Sequence, residues 1–226
     1  MDRAALWITL RLAASTTLIL ITLAIPLAWW IVRGRGLPRA LVQGLVALPL
    51  VLPPTVIGFY LLIGLGPLTW AGRTLTHALG HPLAFSFAGL LLGSVLYSLP
   101  FAVQPLVAGF QAIEPGYLEA AEGLGAPPLK VFLGLVLPMA RAALVTSAVL
   151  TFTHTVGEFG VVLMLGGNIP GVTRTVAIAL YDQVQDGQYR AANISALVLV
   201  ALSLAALMIL YLQSHSGIRS RSSRSV

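Results

Sequence analysis

EPGYLEAAEGLGAPPLKVFLGLVLP, residues 114–138, is the stretch whose reading decides this chain. It holds three of the seven acids and the only lysine, and long apolar runs lie on both sides of it. The whole chain has 226 residues, 58% of them hydrophobic and 9% charged, with a mean hydropathy of +0.92. Soluble domains carry about 25% charged residues, so an aqueous globule is excluded and an all-α integral membrane protein is expected. An island of charge in such a chain implies a partner outside the membrane.

Within the island, two short helices around a turn are expected. Pro115 suits a first helical position, where its missing N–H costs nothing, and Glu119 lies near that positive helix end. Ala120 and Ala121 are small enough to let another surface approach closely. Gly125 can adopt the left-handed conformation that ends a helix. Pro127 and Pro128 restart the chain, and Pro138 separates the second helix from the next apolar run.

Working outward, a bilayer core of about 30 Å needs roughly 20 apolar residues in a helix. Five spans are expected, at about 12–32, 43–65, 83–106, 141–165 and 191–212. Arg11 and the pair Trp29–Trp30 read as interfacial anchors of the first. Pro49, Pro53 and Pro54 predict a broken or bent second span. Pro100 and Pro105 mark where the third run bends towards the surface. Residues 66–82 read as a polar turn region, and 175–189, too short in apolar residues to cross, as a surface helix. Residues 214–226 form a Ser/Arg-rich tail, expected to be mobile and to meet anionic lipid headgroups. The N-terminus lacks a short apolar region followed by a small-residue cleavage site, and its first run is read as retained. The length suits one domain spanning 1–226.

Five spans place the termini on opposite sides. With the N-terminus outside, eight basic residues fall inside and five outside, which favours N-out, C-in and puts 114–138 in the cytoplasm. The basic residues are spread along the chain rather than gathered in a stripe, so no nucleic-acid partner is expected. Absence of cysteine removes disulfides and thiolate metal sites.

The spacing Glu119-Ala120-Ala121, three residues, Gly125, nine residues, then Leu135-x-Leu137-Pro138 resembles the EAA loop of ABC importer permeases. That pattern usually has isoleucine where this chain has Leu135. The string SLPFAVQPL at 98–106, GEFG at 157–160 and GGNIPGVTRT at 166–175 extend the likeness to the oxyanion branch. Within it, the strings and the short length are most similar to molybdate permeases, with tungstate and sulfate permeases as close relatives. The resemblance implies the type I ABC importer fold in the bacterial cytoplasmic (inner) membrane. It assigns Glu119, Ala120, Ala121, Gly125, Leu135, Leu137 and Pro138 to coupling with an ATPase subunit. It also implies a second copy of the chain, two cytoplasmic ABC ATPases and a periplasmic or surface oxyanion-binding protein as partners. ATP and Mg would then be bound by the ATPase, and no cofactor by this chain. The alternative of another class, an ion-coupled secondary transporter, would need coupling carboxylates within its spans.

The residues agree with a separate ATPase. A P-loop requires Gly-x4-Gly-Lys-Ser/Thr, whereas Lys130 stands between Leu129 and Val131. The fourth run carries Ser147, Thr151, His154, Thr155 and Glu158 on one helical face. These either line a pore or bond helices together. Thr55, Ser98, Ser147, Thr151 and Thr155 are the candidates for a translocation pathway. A carboxylate repels a dianion, so Glu158 is expected to be structural, paired with an arginine or capped by backbone amides. His77 and His81 have metal-ligand spacing but no third ligand nearby, and read as loop residues rather than a metal site. Arg174 and the glycines beside it read as a structural turn or a contact for an external binding protein.

Overall fold

In the computed structural model, which describes residues 2–66 and 68–222 and side chains up to residue 212, every regular element is helical. Helix α1 (Arg3–Arg33) starts at Asp2, whose carboxylate accepts from the amides of Ala4 and Ala5. Its 31 residues give about 46 Å of length, more than the hydrocarbon core requires. Leu12, Thr16, Leu20, Ala24, Ala28 and Ile31 recur at three- and four-residue intervals and form its buried stripe, packed on α5 and α9. Of the expected anchors, Trp30 is exposed, but Trp29 turns inward to an aromatic cluster, and Arg11 lies over the ring of Phe87 at 4.2 Å.

The second span is broken, as its prolines predict. Helix α2 (Gly36–Val51) packs on α5 through Val46, and the chain then turns by 110° at Leu52–Pro53 into α3 (Pro54–Gly64). Pro53 and Pro54 make the break; Pro49 stays within α2. The region expected to be a polar turn instead holds α4 (Trp70–Leu79). The Thr69 hydroxyl caps its start, and Gly80, with φ of 74°, ends it. His77 lies in its last turn, and the His81 ring lies 3.0 Å from the Pro82 carbonyl.

Helix α5 (Phe87–Gln111) stays helical through Pro100 and Pro105 and ends beyond the expected boundary at 106. Neighbouring helices can satisfy backbone groups that proline disturbs in an apolar setting. Between α5 and α9, the Ser147 hydroxyl donates to the Ala102 carbonyl at 2.6 Å and ties the two helices together. After α5 come α6 (Pro115–Gly123), α7 (Pro128–Val131), a π-helical stretch (Phe132–Val136) and α8 (Leu137–Met139). The chain bends by 69° at Ala140 into α9 (Arg141–Gly157), so the separation falls two residues beyond Pro138.

The fourth run is not one helix to Leu165. It stops at Gly157, and a short α10 (Gly160–Gly166) follows. The break is stabilised by Glu158, whose carboxylate accepts from the amides of Val161 and Val162 in the first turn of α10. Helix α11 (Val176–Gln185) is the expected surface helix, yet Val176, Ala177, Ile178 and Ala179 are buried against α1 and α12. Thr9 of α1 accepts from the amide of Val176 at 2.9 Å and fixes that contact. Helix α12 (Tyr189–Ser222) is the last described element; the expected tail at 214–226 falls beyond the described side chains.

Among the described residues, Arg3–Arg33, Phe87–Gln111 and Tyr189–Leu212 are long and apolar enough to cross a membrane. Two bent pairs, α2 with α3 and Pro128–Met139 with α9, bring the number to five if each is one span. The main core lies between α1, α5 and α9, around Leu20, Ala24, Val103 and Leu106. One end of the bundle carries α6; the other carries Thr9, the Gly166 to Thr175 turn and α11.

Candidate functional site

Helix α6 has no fully buried residue. Glu119, Ala120 and Glu122 are exposed, while Leu118 and Ala121 face inward. The helix ends as Gly125 predicts: φ is 74°, the Gly125 amide donates to the Glu122 carbonyl, and the Ala126 amide donates to the Ala121 carbonyl. This pair of bonds is the Schellman arrangement, which requires the left-handed residue. Tyr117, Leu124, Leu129 and Leu133 stand exposed around the turn, an apolar surface beside the acids. Leu135 is half-buried, Leu137 packs on the core and Pro138 is exposed.

The loop is bedded on the ends of three elements. Trp29 of α1, Phe110 of α5 and Phe132 of the π-helical stretch form a triangle with ring separations of 5.1 to 6.1 Å. Leu118 of α6 packs on the same cluster. Arg33 lies 4.9 Å from the Trp29 ring and 3.4 Å from the Glu122 carboxylate. That ion pair is exposed and contributes little by itself. The aromatic triangle joins the ends of α1 and α5 to the π-helical stretch, and Leu118 packs α6 against it.

At the other half of the bundle, a cavity of about 570 Å³ opens where two broken spans meet. Pro54 and Thr55 border it from the start of α3, Tyr97 from α5, and Thr153, His154 and Glu158 from the end of α9. Helices α3 and α10 meet closely beside it: a Cβ on Gly58 would lie 2.6 Å from the Met164 Cβ, and one on Gly160 would lie 2.7 Å from the Pro54 Cβ. Glycine at both positions lets the two half-helices touch.

Glu158 is buried, and both carboxylate oxygens are occupied. Oε2 accepts from Ser94 Oγ at 2.9 Å, and Oε1 from the Val161 and Val162 amides at 3.1 and 3.2 Å. Of its two expected arrangements, backbone capping is the one present, and no arginine pairs with it among the described residues. His154 is held by Ser98 Oγ, 3.0 Å from its Nδ1, with its ring stacked on Phe101 at 3.9 Å and beside Tyr97 at 5.1 Å.

Of the five pathway candidates, Thr55 alone borders the cavity, while Ser98 and Thr155 meet each other within the helix packing. Thr55 is exposed at the cavity. Ser98, Ser147, Thr151 and Thr155 are buried. Ser147 bonds the Ala102 carbonyl, Ser98 lies 3.1 Å from the Thr155 hydroxyl, and Thr155 bonds the Thr151 carbonyl. Three of the hydroxyls thus serve helix–helix and intrahelical bonds, while Thr151 Oγ1 has no protein partner. Tyr97 was not legible as a site residue, since nothing local ties it to His154; a tyrosine within an apolar run was the only signal.

Arg174 is tied into its own turn. Its Nε donates to Asn168 Oδ1, its guanidinium lies 3.4 Å from Asp182, and Asn168 also donates to Asp182. This is the structural-turn reading, with α11 as the anchor.

A sequence model of the family described as "Binding-protein-dependent transport system inner membrane component" matches residues 20–220. The chain is 50% identical over 211 residues to the molybdenum transport system permease protein ModB of Azotobacter vinelandii, spanning 93% of each. It is 34% identical over 185 residues to ModB of Haemophilus influenzae, spanning 82% of this chain and 81% of that one. Among solved structures, a bacterial ABC transporter involved in the import of the acidic polysaccharide alginate superposes with a TM-score of 0.72. That match is 19% identical and covers 96% of this chain and 78% of the other, a likeness of fold.

Proposed function

The chain belongs to the family of binding-protein-dependent transport system inner membrane components, and from that premise we propose that it is the permease subunit of an ABC importer carrying molybdate. The observation that carries this reading is α6: an exposed helix with Glu119, Ala120 and Ala121, closed at Gly125 and bedded on the span ends through Trp29, Phe110 and Phe132. Such a helix is a lever for a separate ATPase. The 50% identity with ModB of A. vinelandii, over an alignment spanning 93% of the chain, supports the choice of anion.

In the proposed cycle, two copies of the chain enclose the pathway, and a binding protein delivers the anion from outside. ATP and Mg are bound by two cytoplasmic ATPase subunits. Their closure pushes α6 and, through the aromatic triangle, tilts α1 and α5. The orientation is N-out, C-in, supported by the eight-to-five division of basic residues. An ion-coupled mechanism would depend on Glu158, the one acid among the spans, and its carboxylate is already committed to three hydrogen bonds.

The test of the anion is competition. Vesicles holding the permease with its ATPase and binding protein are given labelled molybdate with excess tungstate or sulfate. Molybdate uptake that resists sulfate supports the reading; uptake abolished by sulfate, with sulfate itself transported, assigns the chain to sulfate instead.

A further inference from the structure

Helix α5 carries a polar stripe along one face. Tyr97, Gln104 and Gln111 recur at seven-residue intervals, which places them in line with rungs about 10 Å apart. Tyr97 borders the cavity between the two broken spans. Gln104 and Gln111 border a second cleft, of about 220 Å³, at the end of α5 that carries Phe110. Gln43 lines the same cleft from α2; the rest of the lining is aliphatic, and no charged side chain borders it. Among the described residues, none of the three side-chain amides has a hydrogen-bond partner in the protein.

Carboxamides without partners, in helices that cross a membrane, are costly against lipid and face a bundle interior or a water-filled space. Each carboxamide offers two N–H donors and no charge. Such a wall can replace part of the water around a dianion without holding it as a guanidinium would. A carboxylate in the same place would repel it. Towards the outer cavity the stripe continues into the hydroxyls of Tyr97 and Thr55, so neutral donors recur along α5. We propose that the cleft between α2 and α5 is a transient oxyanion-contact site, with Gln43, Gln104 and Gln111 donating to the anion on the cytoplasmic half of its path. The proposal rests on the reading of the chain as an oxyanion permease with the N-terminus outside.

The test uses the complete complex in proteoliposomes with labelled molybdate, comparing Gln104→Met, Gln104→Glu and Gln104→Lys, and the same series at Gln111. Met keeps the length and removes the donors, while Glu and Lys add opposite charges. With saturating loaded binding protein, Met should lower the uptake rate about tenfold, the ratio that loss of one hydrogen bond to a charged group gives. Glu should lower it further, and Lys should stay above Met. Equal losses with Glu and Lys would overturn the proposal and assign the amides to packing between two copies of the chain. Wild-type uptake in all three variants at both positions would overturn it as well. Should a charged variant fail to assemble, Gln104→Cys carries the test in a complex without other cysteines. In detergent, with ATP and loaded binding protein, its thiol should react with anionic sulfonatoethyl methanethiosulfonate, and the labelled complex should lose uptake once reconstituted. A thiol that stays unreactive during turnover, or labelling that leaves uptake intact, would overturn the site and leave the permease reading standing. Absence of ATP-driven uptake in the wild type would overturn both.

Discussion

The rings of Trp29 and Phe132 lie 5.1 Å apart, joining the end of α1 to the π-helical stretch that follows the exposed loop. Phe110 closes the triangle from α5. Aromatic pairs in such geometry contribute about 0.5–1.5 kcal/mol beyond their buried area. Phe132→Ala removes two of the three pairs. Because the ring is half-buried, the loss should be about 2–3 kcal/mol, below that of a fully enclosed phenylalanine. A lowered unfolding temperature in detergent and ATP hydrolysis no longer matched by uptake are expected. Full coupling in this variant would separate the triangle from the lever.

Glu158 distinguishes between two substitutions. Glu158→Ala leaves the Ser94 hydroxyl and two buried amides without their acceptor, at about 1–3 kcal/mol for each group left unpaired. Glu158→Gln keeps a carbonyl for the amides, and Ser94 can reverse its role to accept. The expected order of thermal stability is wild type, then Gln, then Ala, with assembly retained in Gln. Equal stability of Gln and Ala would show that capping does not hold the break between α9 and α10.

The junction of α3 with α10 is equally testable. A methyl at Gly160 would lie 2.7 and 2.8 Å from two carbons of the Pro54 ring, which cannot rotate away. Gly160→Ala should therefore cost about 1–3 kcal/mol. At Gly44 a methyl would meet nothing within 4 Å, so Ala should be tolerated there and gain from its better helix propensity. Similar melting behaviour of the two variants would contradict the close contact.

Orientation can be read directly because the chain has no cysteine. A single cysteine replacing exposed Leu124 should react with an impermeant thiol reagent only after cells are opened. One replacing Asp186 should react in intact cells. The reverse pattern would invert the proposed topology.

Much of the architecture was legible because the bilayer imposes length and polarity on every span. The break at Pro53–Pro54 could be read because two successive prolines remove two backbone donors. Other elements escaped for definable reasons. The extent of α5 past the expected boundary at 106 depends on its packing against α1 and α9. Helix α4 was hidden among glycine and proline, although Thr69 and Gly80 were its caps. Helix α11 looked interfacial because a short apolar stretch does not reveal that Thr9 and α12 cover it. At the loop, local chemistry sufficed, since Pro115 and Gly125 each set a backbone state. The cavity depends on contacts such as that of Ser98 with His154, 56 residues apart, which no local pattern encodes.

The most direct measurement is ATP-driven molybdate uptake by the reconstituted complex, comparing wild type with Gly125→Val. Gly125 sits at φ of 74° with open space around it, so the substitution perturbs backbone conformation alone. An L-residue in that conformation is strained by roughly 1–2 kcal/mol, and a β-branched one by more. The account predicts uptake that requires ATP and the ATPase subunit in wild type, with folded spans but loss of uptake in Gly125→Val. Undiminished ATP-driven uptake in the variant, or uptake by the lone chain on an ion gradient, would contradict it.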